Sequence, residues 1–378
     1  MNPFDLTVIA DGAPFCDRQE QQEDLLKYAE AGANVVLFGA RRFGKTSLVR
    51  RAHQRFRDEF GGIAIYVDLY RVTSVASVAE RIARGVYRGL SRHKSFTEKG
   101  RDWLYSLRDY RPVMRPDPSA VGGIAYSVEK VATRPPLEQL RSTLEDIERF
   151  AEAHDMRVCL ALDEFQDIVD LGDPEIEAMM REVIQDQKRV AYFFAGSRRS
   201  VLVQMFSSAG RPFYHSAHMM EIKALPPADL KKFILDQFEA QGRKCQEQGA
   251  ELIVELSGGA PYYAQAIAFQ AFALDAGPCT PETVHQAFDR LLGSERNGYE
   301  AILRGLTDAQ VIVLDALAEE TTDMPTGKDF LARTGLSVGG VRKSLDRLRD
   351  MDVAEQEQDG FWKVVDPVFG TWIRRSRT

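Results

Sequence analysis

Cysteine is scarce in this 378-residue chain, and its four cysteines lie far apart: Cys16, Cys159, Cys245 and Cys279. None belongs to a C-x-x-C pair and no histidine stands at zinc-finger spacing, so we expect neither a disulfide scaffold nor a structural zinc site. No apolar run approaches the ~18 residues that a membrane span needs. The N-terminus shows no basic region followed by an apolar stretch, as a signal peptide would. We therefore expect a cytoplasmic protein without membrane contact.

The chain also lacks the positive charge that would favour nucleic acid or an anionic membrane. Its 49 Lys and Arg and 56 Asp and Glu residues give a net charge of −7 at pH 7. Any such contact therefore needs a local basic patch. The hydrophobic content of 44% and charged content of 28% are ordinary for a soluble globular protein, and the length allows about two or three domains.

One glycine-rich segment carries the clearest functional signal. Gly39-Ala40-Arg41-Arg42-Phe43-Gly44-Lys45-Thr46 fits the phosphate-loop pattern G-x-x-x-x-G-K-[ST], between a buried-type strand at 35–38 and a helix at 47–52. The backbone N–H groups of such a loop surround a phosphate, and the helix N-terminus adds partial positive charge. Lys45 is expected to reach the β- and γ-phosphates and the Thr46 hydroxyl to bind Mg²⁺. The pattern predicts a nucleoside triphosphate site made by Gly39, Arg41, Arg42, Phe43, Gly44, Lys45, Thr46 and Ser47. The backbone of the middle three matters for phosphate, and their side chains are free to contact a lid or a neighbouring molecule.

Two acids end the apolar strand at 157–162. Leu160-Ala161-Leu162-Asp163-Glu164 is typical of the second half of a nucleotide-hydrolysing site. Asp163 is expected near Mg²⁺, and Glu164 is expected to polarise the water that attacks the γ-phosphate. A helix-capping acid pair is the alternative, but the phosphate loop in the same chain favours hydrolysis.

Other polar side chains follow the next strand, at 190–195. Ser197 and Arg198 come directly after it, and neighbouring parallel strands end at the same sheet edge. Ser197 is expected to orient the water and Arg198 to neutralise charge developing on the γ-phosphate; a helix cap with a solvated arginine is the alternative. Arg199 is interpreted as a surface residue. Arg211 either acts on a neighbouring subunit's nucleotide as an arginine finger or pairs with an acid of its own subunit.

The alternation of strands and helices predicts an α/β fold: a parallel P-loop NTPase sheet with helices on both faces. A helical lid follows, with helices predicted at 227–241, 247–257, 261–275 and 281–292. Helices at 308–319, 326–334 and 337–350, and a hairpin turn at Asp359-Gly360, predict a C-terminal winged helix with Trp362 and Trp372 in its core. The predicted domains are residues 1–225, with an insertion of unassigned structure at about 91–135, then 226–298 and 299–378.

Five elements, in this order, resemble the STAND branch of AAA+-related P-loop ATPases, and within it the archaeal-type ATPase group also found in bacteria. They are Phe15-Cys16-Asp17-Arg18-Gln19-Glu20, the phosphate loop, Asp163-Glu164, Phe194-Ala195-Gly196-Ser197-Arg198 and Gly259-Ala260-Pro261-Tyr262-Tyr263. The resemblance covers about residues 14–292. It implies ATP rather than GTP, with Arg18 and Pro261 lining the nucleoside pocket. The chain departs from the family in having Asp17 where glycine is usual and no arginine within 261–275 for the lid-sensor role.

The predicted winged helix has a mixed charge. Residues 301–378 carry eleven basic and thirteen acidic side chains, a net charge of −2, whereas a DNA-binding domain is expected to show a concentrated basic face. Arg342, Lys343, Arg347 and Arg349 lie on the candidate recognition helix, but acids occupy the wing and would be repelled by a nucleic-acid backbone. We favour packing or protein contact over DNA binding for this domain.

Three functions remain open on the sequence. The leading hypothesis is a slowly hydrolysing ATP-dependent molecular switch, in which ATP and Mg²⁺ bind between sheet and lid. Self-association can then depend on whether ATP or ADP is bound, and a further protein partner of unknown identity is expected. The alternative is a DNA-binding ATPase resembling replication initiators, and the third is a scaffold that binds nucleotide without hydrolysing it.

Overall fold

The computed structural model describes residues 2–4, 16, 18–91, 107–116, 124–131, 134–274, 277–357 and 359–377. Phe15 and Asp17 of the N-terminal signature and parts of the predicted insertion lie outside these ranges. The chain divides into two compact units. We call residues 18–39 and 45–222 the sheet unit, and the described parts of 1–17, 40–44 and 223–378 the helical unit.

The sheet unit consists of strands and helices that alternate along the chain. In order they are α1 (Gln19–Ala31), β1 (Val35–Phe38), α2 (Lys45–Phe60), β2 (Ile63–Asp68), α3 (Val75–Ser91), β3 (Tyr110–Pro116), β4 (Ile124–Lys130), α4 (Pro136–Ala153), β5 (Val158–Asp163), a 3₁₀ helix (Phe165–Leu171), α5 (Pro174–Gln185), β6 (Val190–Gly196), α6 (Arg199–Ser207) and β7 (His218–Glu221). The strands predicted at 35–38, 157–162 and 190–195 are present within about one residue of their expected ends.

Five parallel strands form the sheet in the order β2-β5-β6-β1-β7. Every residue of β1, β5 and β6 is buried, as expected for parallel strands covered by helices. The predicted fold class, a parallel sheet flanked by helices, is confirmed. The register pairs Asp68 with Asp163 and Phe38 with Gly196, so the strand ends that carry the predicted site residues meet along one edge.

Part of the region predicted as an insertion forms a hairpin. Strands β3 and β4 pair with each other in antiparallel register, Tyr110 opposite Lys130 and Pro116 opposite Ile124. They form a separate two-stranded sheet. The sequence analysis left this region without a structure.

The helical unit contains eight helices within the part of the chain that the structure describes. They are α7 (Pro227–Ala240), α8 (Glu247–Ser257), α9 (Pro261–Leu274), α10 (Pro281–Arg304), α11 (Asp308–Glu319), α12 (Lys328–Thr334), α13 (Val338–Asp350) and α14 (Pro367–Arg377), with the hairpin β8 (Ala354–Gln356) and β9 (Trp362–Val364) between the last two. One hydrophobic core contains side chains from all of these helices. Trp362 is buried in it and Trp372 packs against it, as predicted.

Two helices of this unit differ from expectation. We expected a helix to end at 292, before Gly293, but α10 continues to Arg304. Its apolar face continues past the glycine to the buried Tyr299, and that packing outweighs the roughly 1 kcal/mol that a glycine costs inside a helix. Helix α14 was not predicted; Asp366 begins it by accepting hydrogen bonds from the Val368 and Phe369 N–H groups, both at 3.0 Å. None of the described helices combines the length and apolar character needed to cross a membrane.

Candidate active site

The phosphate loop leaves β1 through a glycine that no other residue could replace. Gly39 has a φ of +154°, and a Cβ added there would overlap the carbonyl oxygen of Ile222. Lys45 begins α2 with a side chain that is only 6% exposed, and its Nζ donates to the Gly39 carbonyl at 2.7 Å. The loop thus holds a buried ammonium group at a helix N-terminus, where both charges favour a phosphate.

Two hydroxyl groups converge on one carboxylate oxygen. Thr46 Oγ1 donates to Asp163 Oδ2 at 2.7 Å, and the Tyr66 hydroxyl donates to the same oxygen at 2.5 Å. Asp163 is 5% exposed. The structure therefore places the two predicted Mg²⁺ ligands, Thr46 and Asp163, in direct contact. A hydroxyl and a carboxylate oxygen are donors that Mg²⁺ prefers, and Mg²⁺ typically takes its remaining ligands from phosphates and water. The described residues contain no cluster of three or more His, Cys, Asp or Glu side chains able to hold a metal, and the Mg²⁺ roles of Thr46 and Asp163 stay predictions.

Tyr66 is a site residue that the sequence analysis missed. It lies on β2, whose end meets the end of β5, and its hydroxyl bonds directly to the carboxylate predicted to bind metal. Burial and the neighbouring Asp163 carboxylate raise the pKa of Tyr66, so the phenol keeps its proton and remains a donor. A single polar aromatic residue in an otherwise aliphatic strand was the available signal.

Glu164 is held by a tight set of donors. Its Oε2 accepts from Ser197 Oγ at 3.0 Å, from the Ser197 N–H at 3.3 Å and from Gln166 Nε2 at 2.6 Å. Glu164 also has a φ of +50°, a left-handed conformation that costs a non-glycine residue about 1–3 kcal/mol. Such strain is typical of a residue fixed for function. The contact brings together two predicted catalytic residues, Glu164 and Ser197.

Gly196 makes room for this arrangement. A Cβ added at Gly196 would overlap Oε1 of Gln166, the side chain whose amide nitrogen binds Glu164. Gln166 is itself 1% exposed. The glycine of the predicted sensor segment is therefore required by the packing of Gln166 against the backbone.

The predicted arginines lie in ion pairs. Arg198 bonds Asp170 at 2.6 Å, and Arg211 pairs with Glu177 of its own chain. Arg199, interpreted as a surface residue, pairs with Glu221 at 3.1 Å and is only 22% exposed. The roles assigned to Arg198 and Arg211 in hydrolysis stay predictions. Arg18, which precedes α1 with a φ of +66°, is 6% exposed, and its predicted role toward the nucleoside likewise stays a prediction.

The middle of the phosphate loop, residues 40–44, belongs to the helical unit. Arg42 Nη2 forms an ion pair with Glu295 of α10 at 3.0 Å, and Nη1 lies 3.6 Å from Asp366, the residue that precedes α14. Its guanidinium also lies 4.8 and 4.7 Å from the ring centres of Tyr262 and Tyr263 in α9, and it donates to the Tyr263 hydroxyl. One side chain of the loop thus contacts α9, α10 and the start of α14.

The loop backbone and its neighbours add to these contacts. The Tyr262 N–H donates to the Arg42 carbonyl at 3.4 Å, and a Cβ added at Gly44 would lie 3.9 Å from the Pro261 ring. Burial alone disfavours the charged guanidinium, but Tyr263 and the two acids outweigh it and raise the pKa of Arg42. Arg41, by contrast, is 62% exposed and lies 3.8 Å from Asp352. Pro261 therefore lies beside Gly44 of the phosphate loop, and its predicted role in lining the nucleoside pocket stays a prediction.

Comparison with known protein families agrees with this geometry. A family model described as an ATPase domain predominantly from Archaea matches residues 15–267. The chain belongs to this ATPase family. A second family model, described as a probable winged helix domain, matches residues 297–375 and confirms the predicted C-terminal winged helix.

Solved structures share the fold of this chain. The Walker-type ATPase PABY2304 of Pyrococcus abyssi is similar, with a TM-score of 0.71 and 19% identity over 98% of this chain and 99% of that one. The ORC2 protein of Aeropyrum pernix, solved in ADPNP-ADP complexes, has a TM-score of 0.57 and 14% identity over 100% of this chain and 98% of its own. At these identities the likeness concerns the fold. Comparison with curated protein sequences gave no match.

Proposed function

We propose that this ATPase is a nucleotide-dependent molecular switch of the STAND type, which binds ATP with Mg²⁺ and hydrolyses it slowly. The observation that carries the proposal is the Arg42 side chain. It belongs to the phosphate loop by sequence, yet its charge is bound by Glu295 and Asp366, side chains of α10 and of the winged-helix region. A change in the loop on nucleotide binding or release therefore acts directly on these contacts.

The hydrolytic half of the proposal depends on residues of the sheet unit. Lys45 would exchange its bond to the Gly39 carbonyl for one to a phosphate, because an anion is the stronger acceptor. Thr46 and Asp163 would hold Mg²⁺, which neutralises charge on the β- and γ-phosphates. Glu164, oriented by Ser197 and Gln166, would accept a proton from the attacking water.

The switching half of the proposal depends on the free-energy cost of breaking the contacts of Arg42. A guanidinium that is partly buried between two acids and two aromatic rings is costly to strip of any partner, since it leaves a charge uncompensated. We therefore expect the contacts of Arg42 to be broken together rather than one at a time. Phosphate bound by the loop backbone would change the conformation of Arg42, whose φ is +68°, and so favour either making or breaking these contacts.

The experiment measures ATP binding and phosphate release separately. We expect Lys45→Ala to fold but to lose Mg²⁺-dependent ATP binding, and Glu164→Gln to keep ATP bound while phosphate release falls by at least about 100-fold. Glu175→Gln is a matched control, because it makes the same change at an exposed acid of α5 that has no role in the proposal. A Lys45→Ala protein with undiminished ATP affinity would sink the proposal. ATP binding without measurable hydrolysis in the wild type would favour the non-hydrolysing scaffold instead.

A further inference from the structure

Two cysteines of the helical unit face each other directly across a backbone bridge. Cys245 precedes α8 and Cys279 precedes α10, and the two residues form an isolated parallel β-bridge. The Cys279 N–H donates to the Lys244 carbonyl at 2.9 Å, and the Gln246 N–H donates to the Cys279 carbonyl at 3.0 Å. Neighbouring strands lie about 4.8 Å apart, which falls within the roughly 4.4–6.8 Å between Cα atoms that a disulfide needs. Residues paired this way in a parallel bridge project their side chains to the same face.

The two thiols differ in their access to solvent. Cys279 is completely buried, whereas Cys245 is partly exposed. The neighbouring Cys245 thiol, together with Arg243, lowers the pKa of the Cys279 thiol, although burial opposes this.

The surrounding structure fixes both cysteines in place. Arg243 donates to the carbonyls of Phe272 and Gly277, the latter at 2.8 Å, and its guanidinium lies 4.4 Å from the ring centre of Phe272. On the other side, a Cβ added at Gly249 of α8 would lie only 2.8 Å from the Cys279 carbonyl oxygen. The bridge is therefore closely packed from both directions.

We propose that Cys245 and Cys279 form a reversible disulfide and are an oxidative modification site of this protein. The oxidant is a small-molecule disulfide. Cys245 loses its proton to water and attacks the small disulfide as a thiolate, giving a mixed disulfide at Cys245 and one small thiolate, which takes up a proton from water. Cys279 then loses its proton to water, attacks the Cys245 sulfur and expels the second small thiolate, which is protonated in turn. In sum, two protein thiols and one small disulfide become one protein disulfide and two small thiols, so that the protein is oxidised and the reagent reduced.

The disulfide would close a ring from residue 245 to residue 279 that contains α8 and α9. Helix α9 carries Tyr262 and Tyr263, the rings against Arg42. Because a cross-link restrains the unfolded chain, the oxidised protein is more stable than the reduced one. The proposal does not depend on nucleotide binding and can be tested in its absence.

The test equilibrates the full-length protein with oxidised glutathione and counts thiols after denaturation. We expect two of the four thiols to disappear, a peptide linking Cys245 to Cys279 to be found by mass spectrometry, and the unfolding midpoint to rise; dithiothreitol should reverse all three. Cys279→Ser should instead accumulate glutathione on Cys245, because the second step is blocked. Cys245→Ser, at a partly exposed position, covers the case in which the buried variant fails to fold, and should form no internal disulfide.

Cys159→Ser is the matched control, since Cys159 is fully buried in β5, and it should still form the link. Any of three results would overturn the proposal. The wild type could keep all four thiols, Cys245 could be linked to Cys16 in place of Cys279, or the oxidised form could be less stable than the reduced one.

Discussion

The Tyr66 hydroxyl lies 2.5 Å from Asp163 Oδ2, joining strand β2 to the carboxylate expected to bind Mg²⁺. Residues that orient a metal ligand commonly matter almost as much as the ligand itself. We therefore propose Tyr66 as a residue of the candidate ATPase site, although it lies outside the recognised motifs.

Tyr66→Phe removes this donor and keeps the ring. We expect the Mg²⁺ concentration needed for half-maximal ATP hydrolysis to rise about tenfold, with little change in stability, because Thr46 still binds Asp163. The control is Tyr70→Phe, which loses a hydroxyl from an exposed ring nearby. Equal Mg²⁺ requirements in the two variants would show that the Tyr66 bond is irrelevant to the metal.

The buried His53 leads us to expect that the free energy of unfolding falls in acid. This α2 residue is buried beside Phe193, and burial, together with Arg57 and Arg50, lowers the pKa of His53 from 6.5 to about 3. The unfolded chain therefore binds a proton below pH 6.5 that the folded protein refuses, and stability falls as the pH drops from 6.5 towards 3. Between pH 7 and pH 5 this single group should cost about 2 kcal/mol.

His53→Phe should remove that part of the acid sensitivity, as measured by denaturant unfolding at pH 5, 6, 7 and 8. At pH 8 the imidazole is neutral in both states, so the variant and the wild type should differ by less than about 1.5 kcal/mol. Parallel stability curves for the two proteins across this pH range would contradict the assignment.

The Arg211–Glu177 pair predicts a stability effect within one subunit. Glu177 is 7% exposed, and its carboxylate forms an ion pair with Arg211. Arg211→Ala leaves a buried acid, so we expect a loss of about 2 kcal/mol in the free energy of unfolding. The double variant with Glu177→Gln should recover part of it. A full loss of hydrolysis in Arg211→Ala with unchanged stability would instead favour the arginine finger acting on a neighbouring subunit.

The charges of the winged helix lead us to expect only weak interaction with DNA. Arg342, Lys343 and Arg347 are exposed on α13, but Arg349 pairs with Asp346, and Lys363 bonds Glu357 and lies near Glu355 on the wing. We expect no duplex binding with a steep salt dependence at low ionic strength. Such binding, if it is lost on charge reversal at Arg342 and Arg347, would support the alternative of a DNA-binding ATPase.

Much of this structure could be predicted from local sequence patterns. The phosphate loop, the strand before Asp163 and most helix bounds follow from short-range periodicity and turn chemistry, which the sequence displays directly. Neither Tyr66 nor the partners of Arg42 could be found this way, because the contacts join residues far apart in sequence, and Tyr66 meets Asp163 only once the order of the strands is known. Gly293 caused the opposite error. A glycine locally favours the end of a helix, but here the buried face of α10 continues past it.

The central claim is that nucleotide bound by the phosphate loop changes the contacts that Arg42 makes with α9, α10 and the start of α14. The most direct test is hydrogen exchange in α9, α10 and α14, compared between ADP and a non-hydrolysable ATP analogue, in wild type, Arg42→Gln and the matched loop variant Arg41→Gln. We predict that exchange in these helices differs between the two nucleotides in wild type and Arg41→Gln, and that Arg42→Gln binds both nucleotides yet loses the difference. An Arg42→Gln protein that retains the full nucleotide-dependent difference would contradict the account.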